Sequence, residues 1–454
     1  MLFNNCEKKK WALIGISVGI TALLSYYLIV IKDIQSPDAY LEGFVQYNSG
    51  DWASACGRWF LRYLEKGTFN LVMPLFVVIM YAACIVISVS LILRLLHIEE
   101  TWYIVGISIV MTASPAIIEQ LTYTFTALAY AFSLLLSVGY LFLVSSSRKL
   151  YHSFAGSICL CLALGLYQSY IGVSVGLAAM LLAFEVYEDG ITRMFWKRVL
   201  RYIWTGGLGV LLYFICMKID SLLHPILMSE RVQNISLQSM ISDFPERFLY
   251  TYQSFFEYFA DWRMKRNMMY AILALIFVAA LFAASANLLR QKKWKDCIAF
   301  LLILLLLPPA MNSIALVCTT DPIRNLMSYQ MVLMIPFGMV LVNHCFKGKH
   351  KVGQHLSVLV CLLISWTYII SANTTYRCYD LSSKCIHSVT QGIVTEIRQM
   401  PEYNEESRII FAGFVDDSPV RNAYYQLYLY AIGLPNNVVW WQDMNGIRIT
   451  RPYL

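Results

Sequence analysis

Along most of the chain, runs of about 20 apolar residues alternate with short polar stretches, and about 20 residues of helix is the length that crosses a hydrocarbon core. The runs fall at 11 to 31, 70 to 93, 103 to 118, 123 to 145, 153 to 168, 169 to 187, 202 to 219, 268 to 289, 297 to 317, 327 to 345 and 355 to 372. The pattern therefore predicts a mainly α, polytopic chain of about eleven membrane helices. Only 153 to 187 is ambiguous, reading either as one long tilted helix or as two short ones meeting at "YQSY". Charge favours two. With Lys8, Lys9 and Lys10 on one side, alternation brings Arg94, Arg148, Lys149, Arg193, Lys197, Arg198, Arg201, Arg290, Lys292, Lys293, Lys295, Lys347, Lys349 and Lys351 to that same side only if the stretch is split. Short cytoplasmic loops collect Lys and Arg, so this side, with the N-terminus, is read as cytoplasmic.

Three larger pieces then face outward: 32 to 69, 220 to 267, and a tail from 373. In the tail, "ESRIIFAGFVDD" and "NNVVWW" read as strands. The division that follows is a membrane domain over 1 to 372 and a small α/β extracytoplasmic domain over 373 to 454. The first span is too long for a signal peptide and no small-residue cleavage site follows it, so it is read as a retained anchor. Composition agrees: 58% of the 454 residues are hydrophobic and 14% charged, against about 25% charged in soluble domains. The net charge of +7 is the bias of the inner loops and gives no case for nucleic acid. Twelve cysteines scatter without CxxC or Cys/His metal spacing. Cys378 and Cys385 fall in the outer tail, where oxidation can occur, and their pairing is left open.

Between the first two spans, "GDWASACGRWFLRYLEKG" carries Trp52, Cys56, Trp59, Phe60 and Tyr63 on one side of a 3.6-residue period, with Asp51, Arg58, Arg62 and Glu65 on the other. That pattern predicts an interfacial helix over 51 to 66, its rings in the headgroup layer and its arginines facing either lipid phosphates or a polar ligand. The aromatic stretch "YTYQSFFEYFADWRMKR" can stack on sugar rings or lie on the membrane as a second interfacial helix, and the helix is the favoured reading. Just past the first span, Asp33, Asp38 and Glu42 hold carboxylates at the membrane surface. Such a group can take a proton from an attacking hydroxyl or cap a helix after Pro37. "LLPPAMNS" is the one span that looks broken.

An acid after the first span, then "GRWF", then "LGLYQSYIGVSVGL", resembles the bacterial glucosyl transferase II family, whose members decorate O-antigen and related surface polysaccharides. The family's acids followed by Trp and Gly-Arg-Trp are matched at Asp33, Asp38, Trp52, Gly57, Arg58 and Trp59, and its Tyr-Gln motif at Tyr167 and Gln168. The proline-containing connection Ser114 to Tyr130 is similar too, and the likeness spans roughly 10 to 375. The family often has adjacent acids where this chain separates Asp33 and Asp38 by "IQSP"; Asp38 is the favoured counterpart. What the resemblance implies is a membrane glycosyltransferase of the GT-C type. It would act on a polyprenyl phosphate glucose donor and a surface glycan acceptor at the outer side of a bacterial cytoplasmic membrane, with a separate donor synthase and donor flippase as further partners.

On that reading polyprenyl phosphate is the leaving group, and arginine suits its oxygens because the planar guanidinium binds them bidentately. Arg58 is the first choice and Arg324 the second, the latter being equally suited to an ion pair with Asp321 or to snorkelling toward the interface. Asp38 is the candidate base with Asp33 as rival. Glu119 either positions the acceptor or caps the turn after Pro115, and Tyr167, Gln168 and Tyr170 either bind sugar hydroxyls or join helices. A divalent cation is left open. The rival readings are a lipid-linked oligosaccharide flippase, expected to show midplane charges or inverted repeats, and a polysaccharide polymerase.

Overall fold

The computed structural model describes residues 5–36, 50–225, 229, 237–260, 268–317, 323–346 and 351–404. Along them run α1 (Asn5–Lys32), α2 (Gly50–Ala55), α3 (Leu61–Gly67), α4 (Pro74–Leu95), α5 (Thr101–Thr112), α6 (Pro115–Gln120), α7 (Ala127–Ser146), α8 (Leu150–Leu166), α9 (Ile171–Asp189) and α10 (Arg193–Leu223). There follow α11 (Leu237–Ser242), α12 (Phe244–Ala260), α13 (Met268–Arg290), α14 (Trp294–Leu305), α15 (Leu307–Met311), α16 (Met334–Phe346) and α17 (Lys351–Gln399). No strand occurs among the described residues. Seven helical stretches among them are long and apolar enough to cross a membrane, while α8, α16 and the apolar part of α13 are shorter. The chain is thus a multi-pass membrane protein.

Helix limits follow from local chemistry. Proline opens α4 and α6 at the first turn, where its missing N–H costs nothing. Gly190, at φ +76°, ends α9, and Thr192 caps α10 by accepting from the Phe195 amide at 3.2 Å. Between α8 and α9 the backbone extends at Tyr167 (φ −156°, ψ 104°), so 153 to 187 is two helices, as the charge pattern requires. The ninth apolar run is interrupted at Leu306, ahead of Pro308 and Pro309.

The eleventh run departs most from expectation. Where its apolar stretch stops at 372, α17 continues without a break to Gln399. Arg377 and Lys384 both reach the buried Asp380 carboxylate at 2.9 Å, at spacings of three and four residues, which supports helix beyond the apolar part. This helix also holds Cys378 and Cys385 seven residues apart, about 10 Å along the axis, too far for a disulfide. The two expected strands lie outside the described residues.

Contacts between helix ends sort the loops into two sets. At one end Arg94 pairs with Glu7 at 2.5 Å, Arg198 with Glu185 at 3.2 Å, and His344 with Glu188 at 2.7 Å. There too the Ile191 amide donates to Asp296 at 2.9 Å and Asn343 to Glu100 at 3.1 Å. The described basic loops therefore share one end of the bundle. The opposite end joins residues 36, 56, 119, 122, 168 and 326.

Helices α9 and α15 meet through glycine. A Cβ at Gly172 would overlap the Met311 carbonyl oxygen, and one at Gly176 would lie 2.9 Å from Met311 Cγ, a small-xxx-small approach of the kind that brings membrane helices close. Gly139 has nothing within 4 Å of a built Cβ. Gly172→Ala is therefore expected to lose about 1–3 kcal/mol of stability and Gly139→Ala almost none, as measured by thermal unfolding in detergent.

Candidate functional site

Four tyrosine hydroxyls converge on the break between α5 and α6. Pro115 has no N–H to give the Met111 carbonyl, which instead receives the Tyr329 hydroxyl at 3.1 Å. Tyr26 donates to the Thr112 carbonyl, Tyr376 to that of Ile118 at 3.0 Å, and Tyr81 to Gln120 Oε1. Tyr26, Tyr81, Tyr329 and Tyr376 are all buried. Carbonyls stranded by the break are satisfied inside the protein, and short α6 is fixed with Glu119 and Gln120 on it.

Both residues hold the incoming chain on the far side of the site. Glu119, 6% exposed, accepts the Leu326 amide at 3.0 Å. Gln120 donates to the Leu326 carbonyl at 2.5 Å and to Tyr170 at 2.8 Å. Ser169 Oγ adds a bond to the Met327 carbonyl at 2.9 Å. The short 3-10 turn Asn325–Met327 is thereby clamped, and exposed Arg324 at its start brings a positive charge that acts on the Glu119 carboxylate.

The segment carrying Arg58 is built differently from a single interfacial helix. The chain turns at Gly57, whose φ of +79° lies in the left-handed region, and so divides 50 to 67 into α2 and α3. A Cβ there would meet Tyr213 Oη at 2.6 Å and Gln168 Nε2 at 3.0 Å, so glycine is required twice over. Tyr213 donates to the Gly57 carbonyl at 3.1 Å, and Gln168 donates to that of Cys56 at 2.8 Å and to the Tyr213 hydroxyl at 3.2 Å. Past the turn, the Phe60 amide bonds the Gly165 carbonyl at 2.9 Å, and Trp59 is buried against Gly165 rather than set among lipid headgroups. Glu65 is buried as well, and half-buried Arg62 donates to Ser54 Oγ at 3.1 Å. Tyr63 stays exposed.

Half-buried Arg58 emerges from this turn with its guanidinium carbon 5.1 Å from the centre of the Tyr167 ring, a cation–π contact worth about 0.5–2 kcal/mol. Edge-on contacts hold that ring: Tyr130 at 4.7 Å and Tyr170 at 5.4 Å between centres. The charges of Arg58 and Glu119 both act on Tyr167. Arg58 thus lies over Tyr167, whose edge-on neighbour Tyr170 accepts from Gln120, next to the Glu119 that holds the turn after Arg324. Gln168 is beside Tyr167 but uses its amide to grip the Gly57 turn.

The carboxylates after α1 are placed less completely. Asp33 is exposed, ends α1 with φ +46°, and accepts from Gln35 at 3.1 Å, so its visible work is local. Asp38, Glu42 and Asp321 lie outside the described residues. Ser36, two positions before Asp38, is buried and gives its amide to the Thr122 carbonyl at 2.6 Å, three residues from Glu119. Among the described residues no three of His, Cys, Asp and Glu come together as a metal cluster.

Sequence reasoning passed over two buried charges. Arg247, 6% exposed, donates to the Leu316 and Val317 carbonyls at 3.2 and 3.1 Å and to Asp243 at 3.0 Å. It lies on one face of α12 with Thr251, Phe255 and Tyr258, all buried, and a cation in such a stripe is the signal that pointed to it. Asp220, 4% exposed, follows Tyr213 and Met217 on the α10 face that meets the Gly57 turn.

The family model described as glucosyl transferase GtrII matches residues 41–343, a stretch holding Gly57, Arg58, Glu119, Tyr167, Gln168 and Arg324, with Asp33 and Asp38 just before it. No curated protein and no solved structure matches the chain. Because the turn depends on Gly57, a Gly57→Ala variant is expected to speed amide hydrogen exchange at Arg58 and Phe60 by about tenfold or more, leaving α7 unchanged, as read by exchange mass spectrometry.

Proposed function

The chain belongs to the glucosyl transferase GtrII family, and from that premise we propose that it transfers glucose from polyprenyl phosphate glucose to a surface glycan of the O-antigen kind, as a GT-C type enzyme. The site end of the bundle is the outer face of a bacterial cytoplasmic membrane in this reading, and the basic end is cytoplasmic. A donor synthase and a donor flippase supply the lipid-linked sugar to that face. The observation that carries the reading is the Arg58 guanidinium held over Tyr167 at the end away from the basic loops, the same end at which Glu119 clamps the turn that Arg324 opens.

In the reaction, an acceptor hydroxyl attacks the anomeric carbon while the bond from that carbon to the phosphate oxygen breaks. The electron pair leaves with polyprenyl phosphate, and the hydroxyl proton goes to Asp38. Ser36, the last described residue before it, is anchored on Thr122, three residues from Glu119; Asp33 serves to end α1. Arg58 stabilises the negative charge that grows on the leaving phosphate, and Arg324 is the second cation for it. Glu119 holds the Arg324 turn in place, where it also meets the acceptor. Tyr167 is the platform under Arg58, and Gln168 serves through the turn it grips.

Transfer of labelled glucose from synthetic polyprenyl phosphate glucose to membrane glycan tests this. At equal expression, Arg58→Ala is expected to lower turnover about 100-fold or more and Asp38→Asn by about 100-fold to 10,000-fold. Arg58→Lys should recover part of the loss, since it restores the charge without the planar fork. Full activity in both Arg58→Ala and Asp38→Asn contradicts the assignment.

A further inference from the structure

At the basic end of the bundle, far from the Gly57 turn, α8 and α10 enclose a second feature. The helices run parallel and touch where Ser157 Oγ donates to the Thr205 carbonyl at 2.8 Å and where Gly209 admits Leu160. Beside that contact is an open hollow of about 670 Å³ lined by Leu150, Tyr151, Phe154, Trp204 and Leu208, with Thr205 at its floor. Its rings are left uncovered by the protein: Tyr151 is 61% exposed, Phe154 52% and Trp204 58%.

The rim is cationic. Arg148 and Lys149 immediately precede Leu150, and Lys149 lies with its ammonium 5.7 Å from the centre of the Tyr151 ring. On α10, Lys197 and Arg201 stand seven and three positions before Trp204 and so share its face. Arg201 spans to the end of α7 by donating to the Val144 and Ser147 carbonyls, each at 3.4 Å. Among the described residues, none of Arg148, Lys149, Lys197 and Arg201 has a carboxylate within salt-bridge distance, whereas Arg198, one position from Lys197, is paired with Glu185. Loop bias alone puts cations at this end. Here, in addition, Lys149 caps α8, and Lys197 and Arg201 share the face of Trp204 on α10, the two helices that wall the aromatic-lined hollow.

We propose that this hollow binds an anionic phospholipid, with an acyl chain along Tyr151, Phe154, Trp204 and Leu208 and the headgroup phosphate against Lys149, Lys197 and Arg201. A zwitterionic headgroup presents its own cation to the same rim and is disfavoured by it. The site is independent of the sugar-transfer reading, because it shares no residue with it.

The full chain, purified in neutral detergent, is titrated with phosphatidylglycerol, with phosphatidylcholine and with inorganic phosphate, and bound lipid is counted by native mass spectrometry alongside thermal unfolding. Phosphatidylglycerol is expected to bind about tenfold or more tightly than phosphatidylcholine and to raise the unfolding midpoint, with no shift from inorganic phosphate. Combining Lys149→Ala, Lys197→Ala and Arg201→Ala should bring phosphatidylglycerol down to the phosphatidylcholine level. Raising salt to about 0.5 M should do the same to the wild type, which keeps the test decisive if the triple variant fails to fold. Equal retention of the two lipids by the wild type, phosphatidylglycerol binding indifferent to salt, or an equal shift from inorganic phosphate overturns the proposal.

Discussion

One guanidinium, held over a buried tyrosine ring, depends on the turn around which one end of this bundle is built. Arg58 reaches Tyr167 because the chain reverses at Gly57, and Gly57 reverses because two hydrogen-bond donors from other helices, Gln168 and Tyr213, take the carbonyls of Cys56 and Gly57. Without that turn, residues 50 to 67 would run on as one helix and Arg58 would share a face with Arg62 and Glu65. A charge held in this way costs little reorganisation when negative charge develops near it, the condition under which electrostatic catalysis is strongest.

The opposite wall depends on helix breaks placed deep in the protein. A break inside a membrane domain strands carbonyls that no water can reach, and each is expensive unless satisfied. Here proline creates the defect and tyrosine repairs it: Tyr329 and Tyr26 serve the carbonyls of Met111 and Thr112, and Tyr376 that of Ile118. The repair fixes α6, and α6 offers Glu119 and Gln120 to the turn that presents Arg324. The tyrosines hold the break and the short helix after it in one geometry.

How much of this is legible in the sequence differs by feature. The spans are, because apolar runs, loop charge and prolines act locally: the division at Tyr167 and the interruption before Pro308 both follow from them. The length of α17 is hidden, since Arg377, Asp380 and Lys384 end the apolar run while their pairing sustains the helix. The Gly57 turn is hidden as well. A left-handed glycine leaves no mark on a 3.6-residue period, and its cause lies on α10 and on the Gln168 turn, more than 100 residues away. For the same reason Trp59 reads as a headgroup anchor and is in fact buried against Gly165. Motif spacing singles out Arg58, Tyr167 and Gln168, and span position Glu119, but neither shows that Glu119 clamps a distant turn, that Tyr167 lies under Arg58 or that Gln168 grips the Gly57 turn.

Gln168 acts through Arg58, and a double-mutant cycle on kcat/KM for sugar transfer separates that from two independent roles. Residues that work as one unit are strongly non-additive. Gln168→Ala, damaging on its own, is expected to add almost nothing once Arg58→Ala is present. Losses that multiply independently in the double variant would contradict it.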